Sequence, residues 1–150
     1  MNKDYFHISR IENKDSIIKN GLNATDGKIF LFDNILQSRN IAFNQLFIDE
    51  YSFFRVSSKG FKSKVKEDNV AELGTEHQFY LEQENIAPEY IEFSSDQKFN
   101  IYDYLEEVDY PRYKNLGYSD EQYIGIISLD KGRIERYNEV NGTNHPYTGN

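Results

Sequence analysis

Tyr5-Phe6-His7-Ile8-Ser9 is the stretch on which the reading of this chain turns. Tyr5, Phe6 and Ile8 favour a strand. In a strand alternate residues share a face, so His7 and Ser9 present an imidazole and a hydroxyl on one side. Such a pair suits a sugar or an amide ligand. By itself it equally describes an ordinary strand histidine, so its neighbours decide.

Working outward, 13–22 predicts a short helix, with Asn13 as N-cap, Asp15 in its first turn and Gly21 as a left-handed end residue. Leu22 then packs back on Ile17 or Ile18. Asp26-Gly27 signals a turn. Residues 28–32 follow as a strand with little polar alternation, expected to be buried on both faces. The stripe of Ile35, Ala42, Phe43, Leu46 and Phe47 predicts a helix over 34–48. Strands are expected at 51–57 and 77–81, with a turn at Ser58-Lys59-Gly60. Residues 65–73 read as irregular or a short helix. Pro88 sets the first turn of a helical piece over 86–91, and Glu92-Phe93 starts a further strand. The order predicts a mixed α+β domain.

From about residue 99 the character changes. Eight of the 12 tyrosines lie beyond it, and 123–127 is its one apolar segment. The expected division is a core over 1–98 and a Tyr-rich, acidic extension over 99–150 that packs on it. The last ten or so residues, rich in Asn, Gly and Thr, are expected to be loose. There is no internal repeat.

Composition bounds the function. The 150 residues suffice for one domain with a core built on aromatics, since there are 11 Phe and 12 Tyr but no Trp. Cysteine is absent, which excludes disulfides, thiolate metal sites and a cysteine nucleophile, and fits a cytoplasmic setting. No apolar run reaches membrane-spanning length, and 1–10 does not read as a signal peptide. A net charge of −8 argues against strong non-specific nucleic-acid binding. Against that background Lys59, Lys62, Lys64 and Lys66 form a local basic strip interleaved with Phe61, which also suits a protected strand edge. The histidines show no ligand spacing, and no metal site is expected.

Three pieces stand in order: His7-Ile8-Ser9 with a helix closing on Gly21-Leu22; Gly27-Lys28-Ile29-Phe30-Leu31-Phe32 with a helix behind it carrying Phe43; and Glu76-His77-Gln78-Phe79-Tyr80-Leu81 followed by Ile86-Ala87-Pro88-Glu89-Tyr90-Ile91. This order and spacing resembles the ADP-ribosyltransferase superfamily over the first two-thirds of the chain. That group includes poly-ADP-ribose polymerases, bacterial toxins and NAD-dependent RNA 2′-phosphotransferases. Residues 100–150 carry no such resemblance.

The resemblance implies a split mixed β-sheet with short flanking helices, and NAD as substrate. It implies that His7 bonds the adenosine-side ribose, that the Ile8 backbone pairs with the nicotinamide amide, and that Ser9 bonds a ribose hydroxyl. Phe30 and Phe43 would sandwich the nicotinamide. Glu76 would be the catalytic acid, a carboxylate where positive charge grows on the ribose. If the strand register brings Gln78 into the pocket instead, that chemistry changes. The implied activity is transfer of ADP-ribose to a macromolecular acceptor, protein or nucleic acid, in a bacterial or phage toxin or defence setting. The alternatives are an inactive relative that binds a nucleotide or a protein partner, and RNA 2′-phosphate removal. For the last, Arg10 and Arg55 are the available basic residues.

Overall fold

A computed structural model describes residues 3–68 and 78–146, with the side chains of 109 and 123–131 left aside. The chain divides into two compact units, Met1–Ser38 with Glu50–Lys98, and Arg39–Asp49 with Phe99–Asn150.

The first unit is built on a β-sheet that carries buried residues on both faces. Strand β1 (Asp4–Ser9) leads through a 3₁₀ turn, Ile11–Asn13, into α1 (Lys14–Asn20). Asn13 therefore does not cap α1: it has helical dihedrals and makes no capping bond, because the 3₁₀ turn has already begun the spiral. Gly21 ends α1 at φ +84° and passes the chain to β2 (Leu22–Asn23). Ile17 is buried with Leu22, while Ile18 is half exposed.

Asp26 and Gly27 both have positive φ, the mirror-image turn that matches strand twist, and Thr25 and Lys28 pair across it. Then come β3 (Ile29–Phe32), β4 (Glu50–Ser57), β5 (Lys66–Glu67), β6 (Gln78–Leu81), β7 (Asn85–Ile86) and β8 (Ile91–Lys98). Six strands form one antiparallel sheet in the order β5-β6-β3-β1-β4-β8, and β2 pairs with β7 in a separate ribbon. Pro88–Tyr90 is the expected helical piece, a 3₁₀ turn with Pro88 in its first turn. The 65–73 segment contributes β5, and its remainder, with His77 of the expected strand, lies outside the described residues.

Tyr5, Ile29, Leu31, Phe54, Val56 and Leu81 point to one face, where Ile17 of α1, Leu22 of β2 and Ile86 of β7 close the core. Strand β3 is buried on both sides, as its sequence suggests, except at Phe30: Ile29 and Leu31 are covered on one face and Phe32 on the other, while Phe30 is 38% exposed. Hydrophobicity alone does not distinguish a covered position from an open one.

The second unit corrects two expectations. Residues 34–48 are not one α-helix. A 3₁₀ turn (Ile35–Gln37), one turn of α-helix, α2 (Ser38–Ile41), and a π segment (Ala42–Leu46) follow one another across the boundary of the units. Asn34 accepts from the Leu36 N–H, and Ser38 Oγ donates to the Ile35 carbonyl, so side chains compete with the regular ladder. The region beyond 99 is helical: α3 (Ile101–Tyr104), a π segment (Leu105–Asp109), α4 (Tyr110–Asn115) and α5 (Asp120–Asn141). Helix α5 runs into the stretch expected to be loose, and Asn138 then holds Thr143 and His145 through its side chain. Phe43, Ile101, Tyr104, Ile134 and Tyr137 form this unit's core. No helix among the described residues is long and apolar enough to cross a membrane.

Candidate functional site

The sheet is joined unevenly. Strand β1 pairs with β4 at six successive positions, from Asp4↔Ser57 to Ser9↔Ser52. Strand β3 pairs with β6 at four, from Ile29↔Leu81 to Phe32↔Gln78. Between β1 and β3 the one shared register is Phe6↔Phe32. The sheet thus behaves as two three-stranded lobes, β5-β6-β3 and β1-β4-β8, that part beyond Phe6.

His7 sits where they part. Its Nδ1–H donates to the Phe30 carbonyl at 3.0 Å, a bond from side chain to strand where a ladder bond would otherwise run. A carbonyl only accepts, so in the neutral ring the proton is on Nδ1 and Nε2 is left as an acceptor. Burial pushes the imidazole below its usual pKa, with the Phe30 carbonyl pulling the other way. At neutral pH His7 is therefore an uncharged ring with a hydrogen-bond acceptor on Nε2.

Ser9 shares the His7 face and is buried, its hydroxyl donating to the Arg10 carbonyl at 3.1 Å. Register continues this row across the lobe, Ser9 to Ser52 to Asp96. Ser52 is fully buried and donates to Asp96 Oδ1 at 2.6 Å, and Lys14 at the start of α1 reaches Asp96 Oδ2 at 2.9 Å. The Ser52 hydroxyl first, then Lys14, holds the Asp96 carboxyl below the usual range. The row pins α1 to the sheet beside β1. Nothing in the sequence announced it, because its members come from four separate elements.

The other expected residues are spread more widely. Ile8 lies on the opposite face of β1 and is buried. Gln78 is buried opposite Phe32, also on that face. Glu76 lies outside the described residues. Phe30 lends its carbonyl to His7, but its ring projects from the other face, 6.2 Å from Tyr80. Phe43 belongs to the second unit, fully buried against Tyr104 and Tyr137. Arg10 follows β1 directly, and Arg55 lies near Asp4.

No family model, no curated protein and no solved structure matches this chain. The functional reading stands on the geometry and on the motifs themselves. Two motif ends do meet. Strand β2, after Gly21, pairs with β7, before Pro88, and the space at Gly21 is closed by the Ile86 carbonyl and Pro88. The Gly-Leu and Ile-x-Pro segments, 65 residues apart in sequence, are thus one joint.

Proposed function

We propose that the chain is an NAD-dependent ADP-ribosyltransferase-like enzyme acting on a macromolecular acceptor, with NAD held along the parting of β1 and β3. The observation that carries this reading is the divided sheet, with an uncharged His7 at the point of division on a His-x-Ser strand. A dinucleotide needs a long groove with hydrogen-bonding groups on its walls. Strands that separate offer backbone donors and acceptors no longer used by the sheet.

In this reading His7 Nε2 accepts from a hydroxyl of the adenosine-side ribose. Ser9 turns its hydroxyl from the Arg10 carbonyl to a ribose, and the Ile8 backbone pairs with the nicotinamide amide. As the bond from ribose to nicotinamide breaks, its electron pair leaves with the nicotinamide. Positive charge grows on the ribose, and a carboxylate from the third motif, Glu76, stabilises it. An acceptor nucleophile then bonds to the ribose carbon and gives up its proton. Phe43 takes no part, because its ring is committed to packing.

A second reading has its own support. Gln78, the alternative to Glu76 in the third motif, is neutral, buried and placed on the sheet face away from His7. That favours an inactive relative that binds a nucleotide or a protein partner and does no chemistry.

Thermal unfolding with and without millimolar NAD separates the readings when combined with turnover. NAD at ~100 times its dissociation constant stabilises by about 2.7 kcal/mol, and His7→Ala is expected to abolish that shift. The enzyme reading predicts nicotinamide release that Glu76→Gln removes while the NAD shift persists. An NAD shift without any release identifies the inactive relative. No shift at all rejects both NAD readings.

A further inference from the structure

The basic strip and the exposed ring of Phe30 are left unused by the NAD reading, and the structure brings them together. Strands β5, β6 and β3 lie side by side, and register aligns Lys66 with Tyr80 and Tyr80 with Phe30. Residues directly opposite share a face, so one outer row reads Lys66, Tyr80, Phe30. Phe30 is exposed and Tyr80 is half-buried beside it, their rings tilted by 50°. Lys28 Nζ lies 4.6 Å from the centre of the Tyr80 ring. Phe61 and Val65 pack inward on the core, while Lys62, Lys64 and Lys66, which alternate with them, are exposed. Glu82 pairs with Lys66 at 2.6 Å.

In a chain of net charge −8, Lys28 over the Tyr80 ring and Lys66 opposite it in register set two cations beside two rings, and Lys62 and Lys64 are exposed on the segment that leads into β5. Rings without cations would suit an apolar partner, and cations without rings would suit any anion. Both together fit a polymer of alternating planar bases and phosphates.

We infer that the exposed part of this face, around Phe30 and Tyr80, binds single-stranded nucleic acid, with bases stacking on those two rings and phosphates meeting Lys28, Lys66 and the lysines that precede β5, Lys62 and Lys64. Lys28, which now covers Tyr80, swings to the phosphate as a base takes its place. Glu82 keeps one lysine partly neutralised and the remaining acidic surface repels duplex, so affinity is modest and steeply dependent on salt. The inference does not rest on NAD binding.

The test is fluorescence anisotropy of a labelled single-stranded oligonucleotide with the full chain and no NAD. Binding is expected at about 50 mM salt and should weaken by 200 mM, with a log–log slope of about −2 to −3 for three or four phosphate contacts. Phe30→Ala and Tyr80→Ala should each weaken binding by roughly tenfold or more, and Tyr80→Phe should retain it. Lys64→Glu with Lys66→Glu should reduce both affinity and slope, and Lys19→Glu on α1 should do neither. The inference is overturned by absence of binding at low salt. It is equally overturned if both ring-to-Ala variants bind like the parent, or if an acidic polypeptide of equal charge binds as well as the oligonucleotide.

Discussion

His7 shows how one side chain can be both a structural bond and a chemical group. Its Nδ1–H is spent on the Phe30 carbonyl, and that bond fixes the tautomer and hence the acceptor character of Nε2. Burial lowers the folded pKa below the unfolded value of about 6.5. The sign follows. The unfolded chain binds a proton more readily than the folded one, so His7 favours folding fully above about pH 6.5, and this contribution is lost as pH falls toward the folded pKa. Asn places an amide N–H where Nδ1 stands but does not titrate. Unfolding by urea from pH 7.5 to 5 should show a steeper loss of stability in the parent than in His7→Asn. Parallel slopes would mean that His7 titrates normally. The histidine–hydroxyl pair was legible because strand alternation is a local rule. Its partners were not: a bond to a backbone carbonyl 23 residues away, and a row through Ser52 and Asp96, depend on register, which no local pattern of this sequence sets.

At the scale of elements, the joint between α1 and the β2–β7 ribbon is the most exacting piece of the fold. Gly21 lies at φ +84°, where side chains are disfavoured, and a Cβ there would come within 2.0 Å of the Ile86 carbonyl. Strain and overlap act together, so Gly21→Ala should cost about 3 kcal/mol or more. Gly27→Ala provides the comparison, since Gly27 also has positive φ but a Cβ there meets nothing within 4 Å. It should cost only the backbone term, about 1–2 kcal/mol, in the same denaturation measurement. Equal losses would show that backbone conformation, not the Ile86 contact, dominates at Gly21. Gly21 was readable as a helix end, yet its closeness to Ile86 was not, because that neighbour arrives from the far end of the unit. Helix α5 illustrates the opposite case. Ser119 and Gln122 form a capping box, and Gly142 ends the helix at φ +66°. Both signals stand in the sequence. Read only for apolar runs, 123–127 is a lone apolar segment, whereas read with its caps it lies within a 22-residue helix.

For the whole molecule, the decisive fact is that the second unit is discontinuous. Phe43, on the excursion between β3 and β4, packs on Tyr104 and Tyr137, which come from beyond residue 99. Asn44 donates to the Tyr104 hydroxyl at 2.8 Å, and the Phe99 N–H donates to the Asp49 carbonyl at 2.9 Å. A linear reading of composition places a boundary near residue 99, but composition cannot show that 39–49 draws its partners from the later segment. The consequence is testable by ending the chain at Lys98. Every residue of the first unit is then present, yet Phe43, fully buried in the intact protein, loses the rings that enclose it. Uncovering a buried Phe forfeits about 1.5–3 kcal/mol of burial, and residues 39–49 lose the bonds that order them as well. The shortened chain should bind an apolar dye and show collapsed amide dispersion for 39–49, with β1 and β4 still protected from hydrogen exchange. If 39–49 instead keeps its native shifts without the later segment, the excursion folds with its own sequence neighbours, and the helices beyond residue 99 are an addition to it and not its support.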